Sequence, residues 1–258
     1  MNILILSQLC DTQIKEISSL VNICNNFDNI MLNFPTDSTL NDTLNISPFY
    51  LLYINNELIS ILGINYINNE ICESIGFTKP AYRQKGYFKL LLNKLYLELD
   101  ILSTADIVLY CPSNAYSSIK ALDALCYNNW YSEYILQLSY SQFTVTNPNY
   151  IQKQVLNYPD FYIKEIELHS NEAVYHAYVN NITIGQCNII INKDNLYIFS
   201  FEIYEPMRNK GLGKLFLCKI FDYFKKTITL QVNSQNIAAY TLYTNIGFKC
   251  VDEQIYYI

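Results

Sequence analysis

The stretch Phe201-Glu202-Ile203-Tyr204-Glu205-Pro206-Met207-Arg208-Asn209-Lys210-Gly211-Leu212-Gly213-Lys214 decides the reading of this chain. It passes from a strand pattern, through a tight loop with two glycines, into an amphipathic helix. The first amides of a helix have no carbonyl partner within it and carry partial positive charge. Glycines let a ligand approach the main chain closely. Arg208, Lys210 and Lys214 add cations. The guest that suits such a loop is a phosphate or diphosphate. Two familiar phosphate loops do not fit. The Walker spacing is absent, and Phe216 stands where a dinucleotide fingerprint has its third glycine. Taken alone, a Gly-x-Gly is also what a plain helix start looks like.

Outward from this loop the chain repeats itself. Arg83-Gln84-Lys85-Gly86 falls on Arg208-Asn209-Lys210-Gly211 at an offset of 125 residues, and Tyr53-Ile54-Asn55-Asn56 falls on Tyr178-Val179-Asn180-Asn181 at the same offset. With 258 residues in all, a unit of this length fills the chain twice, which predicts two domains, 1–146 and 150–258, meeting at the polar stretch Thr146-Asn147-Pro148-Asn149.

Each copy reads as an α/β unit with a mixed, mostly antiparallel sheet. In the first, strands are predicted at Tyr50–Ile54, Leu58–Ile67 and Ile71–Thr78, with turns at Asn55-Asn56 and Asn68-Asn69. In the second they are Ala173–Val179, Ile182–Ile191 and Leu196–Tyr204. A helix follows, marked by Leu90, Leu91, Leu95 and Leu99 in one copy and by Leu215, Phe216, Ile220 and Phe224 in the other. Next come a short strand (Asp106–Tyr110; Thr227–Val232), a second helix (Ser117–Tyr127; Ile237–Asn245) and a closing strand region (Trp130–Phe143; Phe248–Ile258). The helix between the third and fourth strands supplies the crossover that parallel strands need. The front ends differ: the first copy has about 48 preceding residues with a helix at Thr12–Cys24, the second a short lead-in, Tyr150–Leu168.

Composition narrows the function. Apolar residues make up 51% and charged residues 16%, enough for a buried core. A net charge of −6 is no footprint for general nucleic-acid binding. Apolar runs such as Ile189-Ile190-Ile191 are far short of a membrane span, and Met1–Leu6 lacks the basic start of a signal peptide. Eight cysteines without Cys-x-x-Cys spacing and only two histidines argue against a metal site; the thiols read as reduced, mostly buried, in a cytoplasmic protein. His169 and His176 fall on strands and suggest no chemistry, and Trp130 reads as core. With 30 Asn and 24 Tyr in the chain, a lone Asn or Tyr is not a functional signal.

Context supplies what single residues do not. Downstream of Arg208-x-x-Gly211-x-Gly213 stands Asn236, then Leu242-Tyr243-Thr244-Asn245-Ile246-Gly247-Phe248. This ordered combination, over about Ala173–Ile258, resembles the GNAT family of N-acetyltransferases. The resemblance implies two tandem GNAT-like domains, each with a splayed parallel strand pair. It implies acetyl-CoA as co-substrate and no metal. The amides of Arg208, Asn209, Lys210, Gly211, Leu212, Gly213 and Lys214 would hold its pyrophosphate, and the strand of Phe201, Glu202 and Ile203 would line its pantetheine arm. Asn236 matches the family's contact to that arm, and Tyr243 the acid that protonates the departing thiolate. Acetyl transfer to a primary amine or peptide N-terminus would then run directly in a ternary complex. Asn236 as a helix cap and Tyr243 as a core aromatic are the competing roles. Glu202 is the nearest carboxylate to serve as base, with a structural role as its rival; Gln231 stands where some members carry Glu.

The first copy departs from the pattern. Phe88 replaces the second glycine, and aligning Asn129-Trp130 with Gly247-Phe248 puts Ser118 at the Asn236 position and Leu125 at the Tyr243 position. A degenerate buttressing copy is expected, with the catalytic site in the second. A non-catalytic acyl-CoA-binding or scaffold protein is the alternative for the whole chain.

Overall fold

The computed structural model describes residues 1–36, 46–68, 70–102, 106–150 and 156–258. Asn69 of the expected Asn68-Asn69 turn and residues 151–155 of the expected lead-in lie outside them, as do 37–45 and 103–105. The described residues form two compact units: residues 1–131 with 254–258, and residues 132–253. They carry β1 (Asn2–Leu6), α1 (Asp11–Asp28), β2 (Phe49–Ile54), β3 (Glu57–Ile67), β4 (Ile71–Thr78), α2 (Tyr87–Leu102), β5 (Asp106–Pro112), α3 (Tyr116–Ala124), β6 (Asn129–Leu138) and α4 (Tyr140–Thr146). There follow β7 (Tyr162–His169), β8 (Glu172–Val179), β9 (Ile182–Ile191), β10 (Asn195–Ile203), α5 (Leu212–Phe224), β11 (Thr227–Asn233), α6 (Ile237–Ile246) and β12 (Lys249–Tyr257).

In the first unit the strand order is β1-β2-β3-β4-β5, and β5 is closed by the end of β12, Gln254–Tyr257, in antiparallel register. Only β4 and β5 pair in parallel, from Ile71↔Asp106 to Ser74↔Leu109, and beyond that point no pairing holds them together. The sheet is covered on both faces. Ile17, Leu20 and Cys24 of α1 pack with Phe49, Leu51, Ile61, Ile75 and Phe77. Leu91, Leu92, Leu95 and Leu99 of α2 pack with Tyr50, Leu52, Leu62 and Leu109 on the other side. This alternation along β2 and β3 is the period-two pattern of a strand buried on two faces.

In the second unit the order is β6-β11-β10-β9-β8-β7. β6 pairs antiparallel with β11 from Glu133↔Asn233 to Leu138↔Ile228. One core cluster forms here, on the face that carries α5 and α6, with Phe216, Phe221 and Phe248 among its largest members. Among the described residues of this unit no helix covers the other face. Among the described residues the second copy has no counterpart of α1, which packs on the equivalent sheet face of the first.

The closing strands are therefore exchanged. β6 of the first sequence copy completes the second unit, and the end of β12 completes the first. The sequence repeat runs 1–146 and 150–258, whereas the compact units divide at Tyr131/Ser132 and Glu253/Gln254. Pairing is non-local, so either closing strand satisfies the same edge, and sequence patterning alone does not choose.

Three other expectations are corrected. The strand predicted over Trp130–Phe143 ends at Leu138, because Ser139 caps α4 and Gln142 reaches back to it. Trp130 is 40% exposed rather than core, its ring set edge-on to Tyr131. Met1–Leu6, read only as a short apolar start, contributes strand β1.

Candidate active site

The loop entering α5 is built as the sequence predicts. Glu205–Met207 makes one 3-10 turn, Asn209 and Gly211 take positive φ (60° and 76°), and Gly211 caps the helix. The first helical bond runs from Leu215 N–H to Gly211 O, 3.1 Å. Among the described residues no backbone carbonyl accepts from the amides of Asn209, Lys210, Gly211, Leu212, Gly213 or Lys214. These consecutive donors fit an oxyanion group such as a diphosphate.

Beside the loop, β10 carries a bulge. Pairing with β9 steps from Phe199↔Asn188 to Glu202↔Gln186, and Ser200 adopts φ 49°. β10 and β11 pair in parallel only from Asn195↔Thr227 to Ile198↔Leu230. Past Ile198 the two strands part, leaving the edge of Phe201, Glu202 and Ile203 toward a slot, as bulges near sites often do.

The structure places each predicted site residue as follows. Phe201 lies against Phe216 (ring centroids 5.3 Å) and Tyr243 (6.3 Å), so the strand and α6 meet at the slot. Tyr243 is buried, and burial pushes its phenol up to about 12, with a smaller push from Cys187. Asn236 caps α6, its Oδ1 accepting from Ala239 N–H at 3.1 Å; the side-chain NH2 is not used in that bond. The capping role is thus real and leaves donors over. Glu202 and Arg208 approach at 3.5 Å, both half-exposed.

The cations are turned to carbonyls. Arg208 Nε donates to Ile203 O (2.7 Å), Lys210 Nζ to Pro206 O (2.9 Å) and Lys214 Nζ to Asn245 O (3.4 Å), with Lys214 also over the Tyr150 ring. They shape the loop instead of projecting from it, and Tyr158 adds a bond to Lys210 O. Gly213 packs closely: a Cβ there would lie 3.2 Å from Leu242 and 3.6 Å from Ile203.

The first unit repeats the backbone conformation of this loop. Pro80–Tyr82 makes the 3-10 turn, Gln84 and Gly86 take φ 60° and 79°, and Leu90 N–H bonds Gly86 O at 3.1 Å. Arg83 Nε donates to Thr78 O (3.0 Å) and Lys85 Nζ to Ala81 O (3.0 Å). Two things differ. β4 pairs regularly with β3 from Ser74 through Thr78, without a bulge. Arg83 also holds Asp28 in a two-point ion pair (2.8 and 2.6 Å), and Ser117 donates to the same carboxylate. This unit contains a cleft of about 930 Å³ lined by Gly76, Phe77, Arg83, Gly86, Tyr110 and Leu125, among others. Sequence reasoning missed that space, because it scored the copy on Phe88, Ser118 and Leu125 and not on the parting of β4 from β5.

His169 and His176 lie on β7 and β8, away from the loop, and among the described residues no cluster of His, Cys, Asp or Glu is placed to hold a metal. No helix among them is long and apolar enough to cross a membrane. Five cysteines are buried, and Cys10, Cys126 and Cys250 are exposed.

Comparison with known proteins agrees with this geometry. Residues 133–248 match the acetyltransferase (GNAT) family. A search of curated proteins finds no match. Among solved structures, a GCN5-related N-acetyltransferase from Sphaerobacter thermophilus has a TM-score of 0.63 at 12% identity, over 94% of this chain and 90% of that one. A tandem GNAT protein from the clavulanic acid biosynthesis pathway has a TM-score of 0.62 at 8% identity, over 99% and 98% of the two chains. A GCN5-related N-acetyltransferase from Anabaena variabilis gives 0.57 at 10% identity, over 99% of this chain and 72% of that one. At such identities these structures speak to fold. The matched segment begins at Glu133, inside the exchanged strand β6, and so coincides with the second compact unit and not with the second sequence copy. Residues 133–248 thus match the acetyltransferase (GNAT) family, and the chain has a tandem GNAT fold.

Proposed function

We propose that the second unit transfers an acetyl group from acetyl-CoA to a primary amine, either a small molecule or a peptide N-terminus, in a ternary complex. The observation that carries this reading is the parting of β10 from β11 beside six amides with no carbonyl partner. Acetyl-CoA supplies the acyl thioester. The amides of Asn209–Lys214 hold its diphosphate, and the free edge of Phe201–Ile203 orients the arm. Asn236 keeps its NH2 group for that arm. Holding the reactants in line supplies much of the rate. Tyr243, kept protonated by burial, delivers a proton to sulfur. Glu202 faces away from the core and is one candidate for the base. The five buried thiols suit a reducing compartment, and we assign the protein to the cytoplasm. Thiol release on mixing the protein, acetyl-CoA and an amine panel tests the reading; release that is independent of any amine contradicts it.

A second reading applies to the first unit: it binds acyl-CoA without transfer. The cleft of about 930 Å³ and the conserved loop geometry favour it, and Leu125 offers no proton. Asp28 beside the loop works against an anionic guest. Equilibrium dialysis with CoA decides: two molecules per chain support this reading, one contradicts it.

A further inference from the structure

The end of α1 reaches across the split of the first unit. Asp28 is the last residue of α1 and lines the cleft there. Its carboxylate accepts from both terminal nitrogens of Arg83, at 2.8 and 2.6 Å, and from the Ser117 hydroxyl at 3.0 Å. Arg83 stands in the loop that follows β4, and Ser117 in α3, which follows β5. These are the two strands that part beyond Ser74↔Leu109. One carboxylate thus ties both lips of the split. We propose that Asp28 is a clasp that holds the first unit's slot closed to CoA and so directs the coenzyme to the second unit. This rests on the second reading above, that the first unit has a site for CoA.

Three observations converge. The clasp does not serve the helix. A carboxylate in the last turn opposes the helix dipole, and α1 has no basic residue in that turn to offset it. Arg83 and Ser117 supply what holds it. The tip of α1 is also fixed in place. Asn29 takes the left-handed cap, Asn25 Nδ2 donates to Leu32 O at 2.9 Å, and the Phe27 ring lies 5.3 Å from the Arg83 guanidinium carbon. The ion pair there is sheltered, with the Asp28 and Arg83 side chains 8% and 23% exposed. Finally, the second unit has the same arginine without the clasp. Arg208 keeps the bond to a strand carbonyl that Arg83 makes, but it pairs with Glu202 of its own strand at 3.5 Å, both about half exposed.

The two loops themselves do not differ. Among the described residues no backbone carbonyl accepts from the amides of Gln84–Lys89, as at Asn209–Lys214. What differs is access. A diphosphate approaching Gln84–Lys89 meets the Asp28 charge, and an arm entering the split has to part Asp28 from Arg83 or Ser117. Only the fraction of molecules with the clasp open binds, and apparent affinity falls by that fraction.

Asp28→Ala, Asp28→Asn and Ser117→Ala test this in the full chain, with CoA as the probe. Amide-resolved magnetic resonance reads each loop separately. Asp28→Ala is expected to tighten CoA at Gln84–Lys89 by about tenfold or more and to leave Asn209–Lys214 unchanged, with smaller gains in the other two. Ser117→Ala keeps the ion pair and carries the test if Asp28→Ala fails to fold. Cys111 gives a readout that needs no CoA. It lines the cleft and is 2% exposed, whereas Cys72 of the same core does not line it. Opening the clasp should speed modification of Cys111 by a small thiol reagent about tenfold, with Cys72 still protected. Faster Cys111 modification with no CoA at Gln84–Lys89 in any variant supports the clasp and overturns the CoA reading of the first unit. Unchanged Cys111 modification overturns the clasp, as does a measurable CoA affinity at Gln84–Lys89 that is the same in the wild type and every variant. Cys111 and Cys72 becoming reactive together also overturns it, since the tie then serves stability alone.

Discussion

The Phe88 ring stands directly on Gly76: a Cβ at Gly76 would lie 2.1 Å from Phe88 Cε2 and 2.9 Å from its Cζ. At the repeat offset of 125 these positions are Gly213 and Phe201. Large and small residues have changed places between β-strand and helix start. Phe88 therefore does more than replace a lost glycine: its ring covers Gly76, the position that at the repeat offset carries the Phe201 side chain. Gly76→Ala is expected to cost about 1–3 kcal/mol through overpacking, and Phe88→Gly about 3–5 kcal/mol through a cavity. The exchange Gly76→Phe/Phe88→Gly should cost less than the two single changes together by more than about 1 kcal/mol. Urea unfolding measures this, and strict additivity contradicts the exchange.

Tyr243 gives a pH prediction. Its phenol is pushed up to about 12 from an ordinary 10.0 by burial. A raised value means the folded state holds the proton more tightly than the unfolded chain does. The stability this contributes is complete below about pH 10 and is lost as pH rises toward 12. Tyr243→Phe should remove that part of the alkaline decline while lowering kcat by about a hundredfold, with acetyl-CoA affinity retained. A wild-type kcat in Tyr243→Phe contradicts the proton-donor role and leaves the packing role.

Much of this was legible beforehand. Regular strands, helices and the loop at Arg208–Lys214 follow from period, glycine and capping, which are local signals, and they lie where the sequence puts them. The end of β6 was legible too, in Ser139-x-x-Gln142, but the aromatic run around it masked the cap. The splayed strand pair was legible only through the family resemblance, and the placing of its bulge at Ser200 was not, because a serine at positive φ has no sequence mark and is held there by the surrounding sheet. The strand exchange was invisible for a different reason: β6 and β12 offer similar alternation to β5 and β11, and only the three-dimensional path chooses between them.

Exchange of strands predicts an uneven response to truncation. Removing Gln254–Ile258 takes the partner from β5 and removes Tyr257 from the first unit's core, where it is 4% exposed. It also breaks the paired bonds between Asn128 and Ile258 (2.8 and 2.9 Å). Hydrogen exchange should show β5 amides losing protection first, with β11 amides retained through β6. Loss confined to β11 would mean that each copy closes itself.

Thiol reactivity follows burial. Cys24, Cys72, Cys111, Cys187 and Cys218 are buried, and burial pushes Cys111 and Cys218 up to about 12. At neutral pH a thiol-specific chromogen should therefore titrate three groups in the native protein, Cys10, Cys126 and Cys250, and eight after unfolding. Rapid native modification of a fourth thiol contradicts the packing of these cores.

The central claim is that main-chain amides opening α5 grip the diphosphate of a coenzyme thioester. Titrating an amide-resolved magnetic resonance spectrum of the labelled protein with CoA tests it most directly. The account predicts saturable shifts concentrated at Asn209–Lys214, larger than those at Gln84–Lys89. Shifts absent from Asn209–Lys214 at saturating CoA would contradict it.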